Sequence, residues 1–183
     1  TCPWPDDFLA TLDYQWNEGM IPYWKEATAF AKAHGVTKIA LEMHPGFCVY
    51  NPETLLKLRA AVGDIIGANL DPSHLIWQGI DPVMAIRALA GAIYHVHAKD
   101  TKVDQANTSV NGVLDTKHYG DEIGRSWGFR ALGYGNDEPS VPDDGYEEEK
   151  YVAYVLQDEF KDDFDGDGMH DYIKIDIAFY SDG

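Results

Sequence analysis

Basic residues are scarce in this chain. Fourteen Lys and Arg stand against 31 Asp and Glu, a formal net charge of −17 over 183 residues. Nucleic acid and anionic membrane surfaces are held by clustered Lys and Arg, so the charge argues against both as partners. Cysteine is nearly absent. Cys2 and Cys48 are the two, and they show neither C-x-x-C nor zinc-type spacing. They read as free thiols, which favours a cytoplasmic setting. No apolar run is long enough to span a bilayer. No basic segment followed by an apolar stretch marks a secretory leader. The glycine-rich "WGFRALGYGND" lacks a G-x-G-x-x-G or P-loop pattern, and no Ser-His-Asp or Cys-His constellation stands out.

What the chain does have is an apolar content of 45%, enough for a sizeable core, and an uneven charge. Residues 1–135 carry 15 acids and 11 bases, whereas residues 136–183 carry 16 acids and 3 bases. This predicts a body over residues 1–138 and a separate acidic tail over 139–183. Within the body, helical and strand patterns alternate. "PYWKEATAFAKAHG" has helical periodicity, with Trp24, Ala27, Phe30 and Ala31 on an apolar face and Gly35 as a stop. "NPETLLKLRAAVG" starts with an Asn-Pro cap and ends in Gly63, and "DPVMAIRALAG" repeats that design. Between them "TKIALEM", "IIGANLD" and "AIYHVHA" read as strands. Strands separated by single helices predict βαβ units and a parallel sheet, either a (β/α)8 barrel or an open doubly wound sheet. The polar stretch from Thr101, "TKVDQANTSVNGVLDTKHYGDEIGRS", reads as a long loop. In it His118 and Arg125 are weak candidates for anion contact, as is Arg130 beyond it.

Polar residues gather where these strands stop. The first ends in Glu42 and His44, the second in Asn69 and Asp71 with His74 just beyond, the third in His95 and His97, followed by Lys99 and Asp100. Residues two apart on a strand share a face, so the three ends bring a Glu, an Asp and a His to one rim. That donor set suits a divalent cation such as Mn²⁺, Mg²⁺, Co²⁺ or Zn²⁺.

"IALEMHPGFCVYNPETLLKLRAAVGDIIGANLDPSHLIWQGIDPVMAIRALAGAIYHVHAKDT" resembles the second half of the sugar phosphate isomerase/epimerase family, TIM barrels related to xylose isomerase. The E-x-H, D-P-S-H and H-x-H-x-K-D motifs carry the resemblance, and "RSWGFRALGYGND" is similar to the segment before that family's last strand. The resemblance implies strands like the fifth to seventh of a barrel, with an eighth to follow. It implies a metal held by Glu42, Asp71 and His97, the first three of four ligands. His74 would contact the substrate or activate its hydroxyl, and His44, Trp77 and Lys99 would line the same pocket. The activity implied is isomerisation or epimerisation of a sugar or sugar phosphate through an enediolate, with Glu42 as one of two catalytic carboxylates. An endonuclease of the same superfamily is the alternative that the net charge disfavours.

Two features depart from the family. The first half of a barrel is not in this sequence, so the expectation is a partial barrel that self-associates or pairs with a missing half. The fourth ligand is also not where the family has it. "KYVAYVLQDE" reads as a strand whose end, Asp158 or Glu159, is a substitute. The tail then carries "DDFDGDGMHDYIKI", in which Asp163, Asp165, Asp167, the Met169 carbonyl and Asp171 are spaced to surround a Ca²⁺. Strand-like flanks, with Ile173, Ile175 and Ile177 alternating, make the stretch resemble the calcium loops of FG-GAP and VCBS-type repeats. A non-catalytic calcium-binding or fusion module is therefore a second reading of the whole chain.

Overall fold

The computed structural model describes residues 4–130, Gly135 and Ile175–Asp176. The chain divides into two compact units, residues 1–69 with 91–94, and residues 70–90 with 95–183.

The first unit opens with helix α1 (Asp6–Tyr14), a π-helical turn (Gln15–Met20) and helix α2 (Ile21–Ala33). Strand β1 (Ile39–Glu42), helix α3 (Pro52–Val62) and most of strand β2 (Ile66–Leu70) follow. β1 and β2 are parallel, with Ile39 opposite Ile66 and Glu42 opposite Asn69. Helix α3 forms where the Asn-Pro signal places it. Asn51 Oδ1 accepts from Thr54 N at 2.9 Å, and Thr54 Oγ1 accepts in return from Asn51 N at 3.1 Å. This reciprocal cap satisfies two backbone donors that would otherwise lack partners. Gly63 ends the helix at φ 104°, a conformation that costs a residue with a Cβ.

Leu55 and Leu58 of α3 are fully buried, as are Ile66, Ala68 and Leu70 of β2. β2 is buried at all five positions. Burial on both faces is the mark of a parallel strand covered by helices. Arg59 ties α3 to the strands. Its guanidinium donates to the carbonyls of Asp64 (2.8 Å) and Ile66 (2.5 Å) and to the Tyr94 hydroxyl (2.6 Å). Tyr94 in turn donates to the Asp64 carbonyl. Ala68 N donates to Ala92 O at 2.6 Å, bringing residues 91–94 alongside β2.

The second unit holds helix α4 (Pro72–Ile76), helix α5 (Pro82–Ala88) and the end of strand β3 (Ile93–His97). Strand β4 (Asp100–Val103), helix α6 (Gln105–Asn111) and strand β5 (Trp127–Arg130) follow. β4 and β5 pair antiparallel, with Asp100 opposite Arg130 and Val103 opposite Trp127. Strand β6 (Ile175–Asp176) runs parallel to β3. The larger sheet has the order β1-β2-β3-β6, and the described strands form an open sheet of a partial barrel. No helix among the described residues is long and apolar enough to cross a membrane.

Three readings of the sequence change. The stretch from Thr101 is not a structureless loop. It contains β4 and α6, the latter capped by Asp104, whose side chain accepts from Asn107 N at 2.7 Å. α6 buries no residue, so no apolar periodicity announced it. Phe30 is exposed rather than inward. The buried positions of α2 are Thr28 and Ala31, and Phe30 lies about 200° around the helix from Thr28. Helix also begins well upstream of Pro22, in α1, which again buries nothing. The tail boundary at residue 138 and "KYVAYVLQDE" fall outside the described residues.

Gly67 marks the tightest approach in the first unit. A Cβ there would meet the Tyr94 ring and lie 2.6 Å from Ala92 O, within the van der Waals limit of a backbone atom that cannot yield cheaply. Gly67→Ala is expected to destabilise the chain by about 1–3 kcal/mol, the cost typical of overpacking. Urea unfolding of the two proteins side by side measures it.

Candidate metal centre

β2 has no room for a charge until it ends, and Asp71 is the first residue past it. Asp71 is also the N-cap of α4, with Pro72 at the first helical position. This double position fixes its carboxylate. Oδ1 accepts from Ser73 N at 3.0 Å and from Ser73 Oγ at 2.6 Å. Ser73 is itself anchored, because its carbonyl accepts from Thr101 Oγ1 at 2.8 Å. Oδ2 is left toward two nitrogen groups, Lys99 Nζ and His74 Nε2, each at 3.5 Å. The Asp71 side chain is 1% exposed. A buried polar group is costly unless it is hydrogen-bonded, and Ser73 supplies those bonds to Asp71.

Lys99 is placed by an aromatic ring. Its Nζ lies 3.5 Å from the centroid of Phe129 on β5, a close cation–π contact, and its side chain is 13% exposed. His74 meets the same ring edge-on at a centroid distance of 5.0 Å. Phe129 therefore sits between the two groups that face Asp71 Oδ2. Behind it, Trp77 and Trp127 stack in parallel at 4.3 Å, and Trp127 meets Phe129 edge-on at 5.4 Å. Trp77 is buried in this stack.

Asp71 is one of three side chains with converging donor atoms. Glu42, Asp71 and His97 each offer a ligand atom, and these atoms lie within 4.8 Å of one another. Two carboxylate oxygens and an imidazole nitrogen form a donor set for a borderline or hard divalent cation, and the residues fit such an ion. His97 is the last residue of β3, and its ring meets His95 edge-on at 5.2 Å. His44 Nδ1 is within 2.6 Å of Pro45 O, with its ring 5.2 Å from that of Phe47. Asp158, Glu159 and the candidate calcium ligands Asp163, Asp165, Asp167, Met169 and Asp171 lie outside the described residues.

Several supporting residues escaped the sequence reading. Ser73 and Thr101 orient Asp71, and Phe129 seats Lys99. The Ser of D-P-S-H was a visible signal, being the N2 position of a capped helix. Phe129 gave none, because the β4–β5 pairing that brings it to Lys99 is non-local. Asp100, beside Lys99 in sequence, turns elsewhere: its carboxylate accepts from Thr101 N at 2.6 Å and from Gly135 N at 2.8 Å. Arg125 is buried rather than presented to an anion. It donates to the carbonyls of Lys117 (2.5 Å) and Trp127 (3.0 Å), and its guanidinium lies over the Tyr119 and Trp127 rings. His118 is exposed, and its Nδ1 accepts from Gly120 N at 3.1 Å. Arg130 donates to the carbonyl of Phe129.

The sequence profile of the xylose isomerase-like TIM barrel family matches residues 10–148, and the chain belongs to that family. Protein YfiH of Bacillus subtilis (strain 168), itself uncharacterized, is 50% identical over 137 residues, covering 75% of this chain and 44% of that protein. Two crystal structures share the fold at 20% identity. One is a xylose isomerase domain protein from Planctomyces limnophilus (TM-score 0.54, 85% of this chain and 44% of that one). The other is the probable 3-DHS dehydratase AsbF from Bacillus anthracis (TM-score 0.52, 75% and 45%). The chain thus spans less than half the length of each.

Asp115 holds the segment before β5 in place. Its carboxylate accepts from Lys117 N at 2.9 Å and from Ser126 N at 2.6 Å, with Lys117 Nζ 3.1 Å away. The backbone hydrogen bonds, first from Lys117 and then from Ser126, hold its pKa well below the usual carboxylate range. A depressed pKa gives stability that is complete above the unfolded value and fades as pH falls through the folded one. Asp115 should therefore add no pH dependence between pH 5 and 8, and its contribution should decline only below about pH 4. Unfolding curves of wild type and Asp115→Asn should differ by a constant amount across the neutral range and converge in acid. A difference that changes between pH 5 and 8 would contradict the assignment.

Proposed function

We propose that this chain carries the metal-binding half of a divalent-cation-dependent sugar isomerase or epimerase site. The observation that carries the reading is the convergence of Glu42, Asp71 and His97 ligand atoms within 4.8 Å, at strand ends of a xylose isomerase-like fold. TIM-barrel active sites occupy that end of the strands. A divalent cation held by these three residues supplies Lewis acidity toward a carbonyl oxygen.

The chain's own residues account for the rest. The Glu42 carboxylate is the base that takes a proton from the carbon next to the carbonyl of a hydroxycarbonyl substrate, a sugar or sugar phosphate. His74, whose Nε2 faces Asp71 Oδ2, holds or gives a proton at a substrate hydroxyl. Lys99, seated on Phe129, adds positive charge where negative charge develops on oxygen. Asp71 keeps one orientation, because Ser73 occupies one of its oxygens while the other faces Lys99 and His74.

Asp71→Asn tests the centre without breaking the helix it caps, since Asn is as good an N-cap as Asp. Calorimetric titration of the 183-residue chain with Mn²⁺ should show one Asp71-dependent site. The substitution should weaken that site by roughly tenfold or more, the scale on which metal sites respond even to outer-shell changes. Unchanged affinity and stoichiometry in Asp71→Asn, with the circular dichroism preserved, would remove Asp71 from the ligand set.

A further inference from the structure

β1 and β2 are paired neighbours, yet they are covered differently. β2 is buried at all five positions, whereas no residue of β1 is buried and Ala40 is exposed. The register sets Ala40 opposite Gly67, which is buried. Two residues at one level of the sheet thus differ, and the reason is position. Among the described strands β1 stands at the end of the order β1-β2-β3-β6.

The backbone of β1 has one direction already taken. Ile39 N donates to Ile65 O at 2.7 Å, so the polar groups of Ile39 turn toward β2. Those of successive residues point to alternate sides of a strand, so the N–H and C=O of Ala40 turn toward the outer edge. An edge of this kind is a template for another strand unless a Pro, a Lys or a bulge blunts it. Ile39, Ala40 and Leu41 supply none of these. Phe30 on α2 and Val36 in the turn leading into β1 are exposed as well.

The opposite end of the order is β6, which runs parallel to β3. Four described strands are half of the eight at which parallel βα units close on themselves. Two copies related by a twofold axis would set β1 of each beside β6 of the other, and closure would leave neither edge open. Charge favours this pairing over β1 against β1. Residues 25–38, which lead into β1, carry Lys25, Lys32 and Lys38 against Glu26 alone. β6 belongs to the stretch 136–183, with 16 acids and 3 bases. A junction of β1 with β6 brings opposite signs together, whereas β1 against β1 brings like signs together. We propose that the outer edge of β1 is the docking surface for a second copy of this chain, which adds its β6 beside β1.

Sedimentation velocity of the whole 183-residue chain at neutral pH tests the proposal. The expected species has twice the 20.5 kDa chain mass and dissociates on dilution. Ala40→Pro removes the outward N–H and keeps the bond from Ile39 to Ile65, a change that edge strands tolerate. It should raise the dissociation constant on the order of tenfold, the worth of one lost hydrogen bond. A chain that stays monomeric at every concentration overturns the proposal. So does an Ala40→Pro chain that keeps its circular dichroism and dimerises like wild type. Should Ala40→Pro lose its fold, hydrogen exchange of the wild-type chain decides. The Ala40 amide should be protected in concentrated solution and exchange faster on dilution, and a rate independent of concentration overturns the assignment.

Discussion

A strand buried on both faces can carry a charge only where it ends. β2 is buried from Ile66 to Leu70, so its first available position for a carboxylate is Asp71. The same position begins α4, whose unpaired amide groups attract an acceptor. Asp71 answers both demands with different oxygens. Ser73 takes Oδ1 through its backbone and its hydroxyl, and that leaves Oδ2 with a fixed direction. Pre-organisation of this kind is what a metal ligand requires, because a free carboxylate loses rotational freedom on binding. Here helix capping has already fixed that rotation.

Around this fixed oxygen the second unit arranges Lys99 and His74 on aromatic surface. Lys99 and His74 both lean on Phe129, and Phe129 is backed by Trp127 and Trp77. Phe129 is held in strand β5, which pairs with β4, and β4 begins only three residues after His97. The chain thus returns a ring to the site from about thirty residues further along. Asp115 and Arg125 secure that return by binding backbone groups of residues 117, 126 and 127. These two residues act on the site only through the ring that they help to place.

The local signals in the sequence were legible, and the non-local ones were not. Asn51-Pro52 and Asp81-Pro82 each announced a capped helix, because capping is decided within four residues, whereas the short helix that Asp71 caps was read only as the end of a strand. The strand ends Glu42, Asp71 and His97 were legible from the alternation of apolar runs with polar pairs, and the structure brings their ligand atoms together. By contrast α6 is polar and buries nothing, so no apolar stripe revealed it, whereas α1 carries Phe8, Leu9 and Leu12 at helical spacing without burying any of them. Phe30 looked inward because neighbouring residues did, although one step along a helix turns a side chain by about 100°.

The apolar side chains that α1 and α2 leave in solvent have a consequence for handling rather than for catalysis. Trp4, Phe8, Tyr14, Tyr23 and Phe30 are all exposed, within one short stretch of sequence. Patches of this kind invite association unless like charge keeps molecules apart. At neutral pH the net charge of −17 supplies that repulsion. Near the isoelectric point of about 4.5 it vanishes, while Asp115 is still ionised and its backbone contacts are intact. Mild acid therefore removes the repulsion between these exposed side chains before it reaches the Asp115 carboxylate.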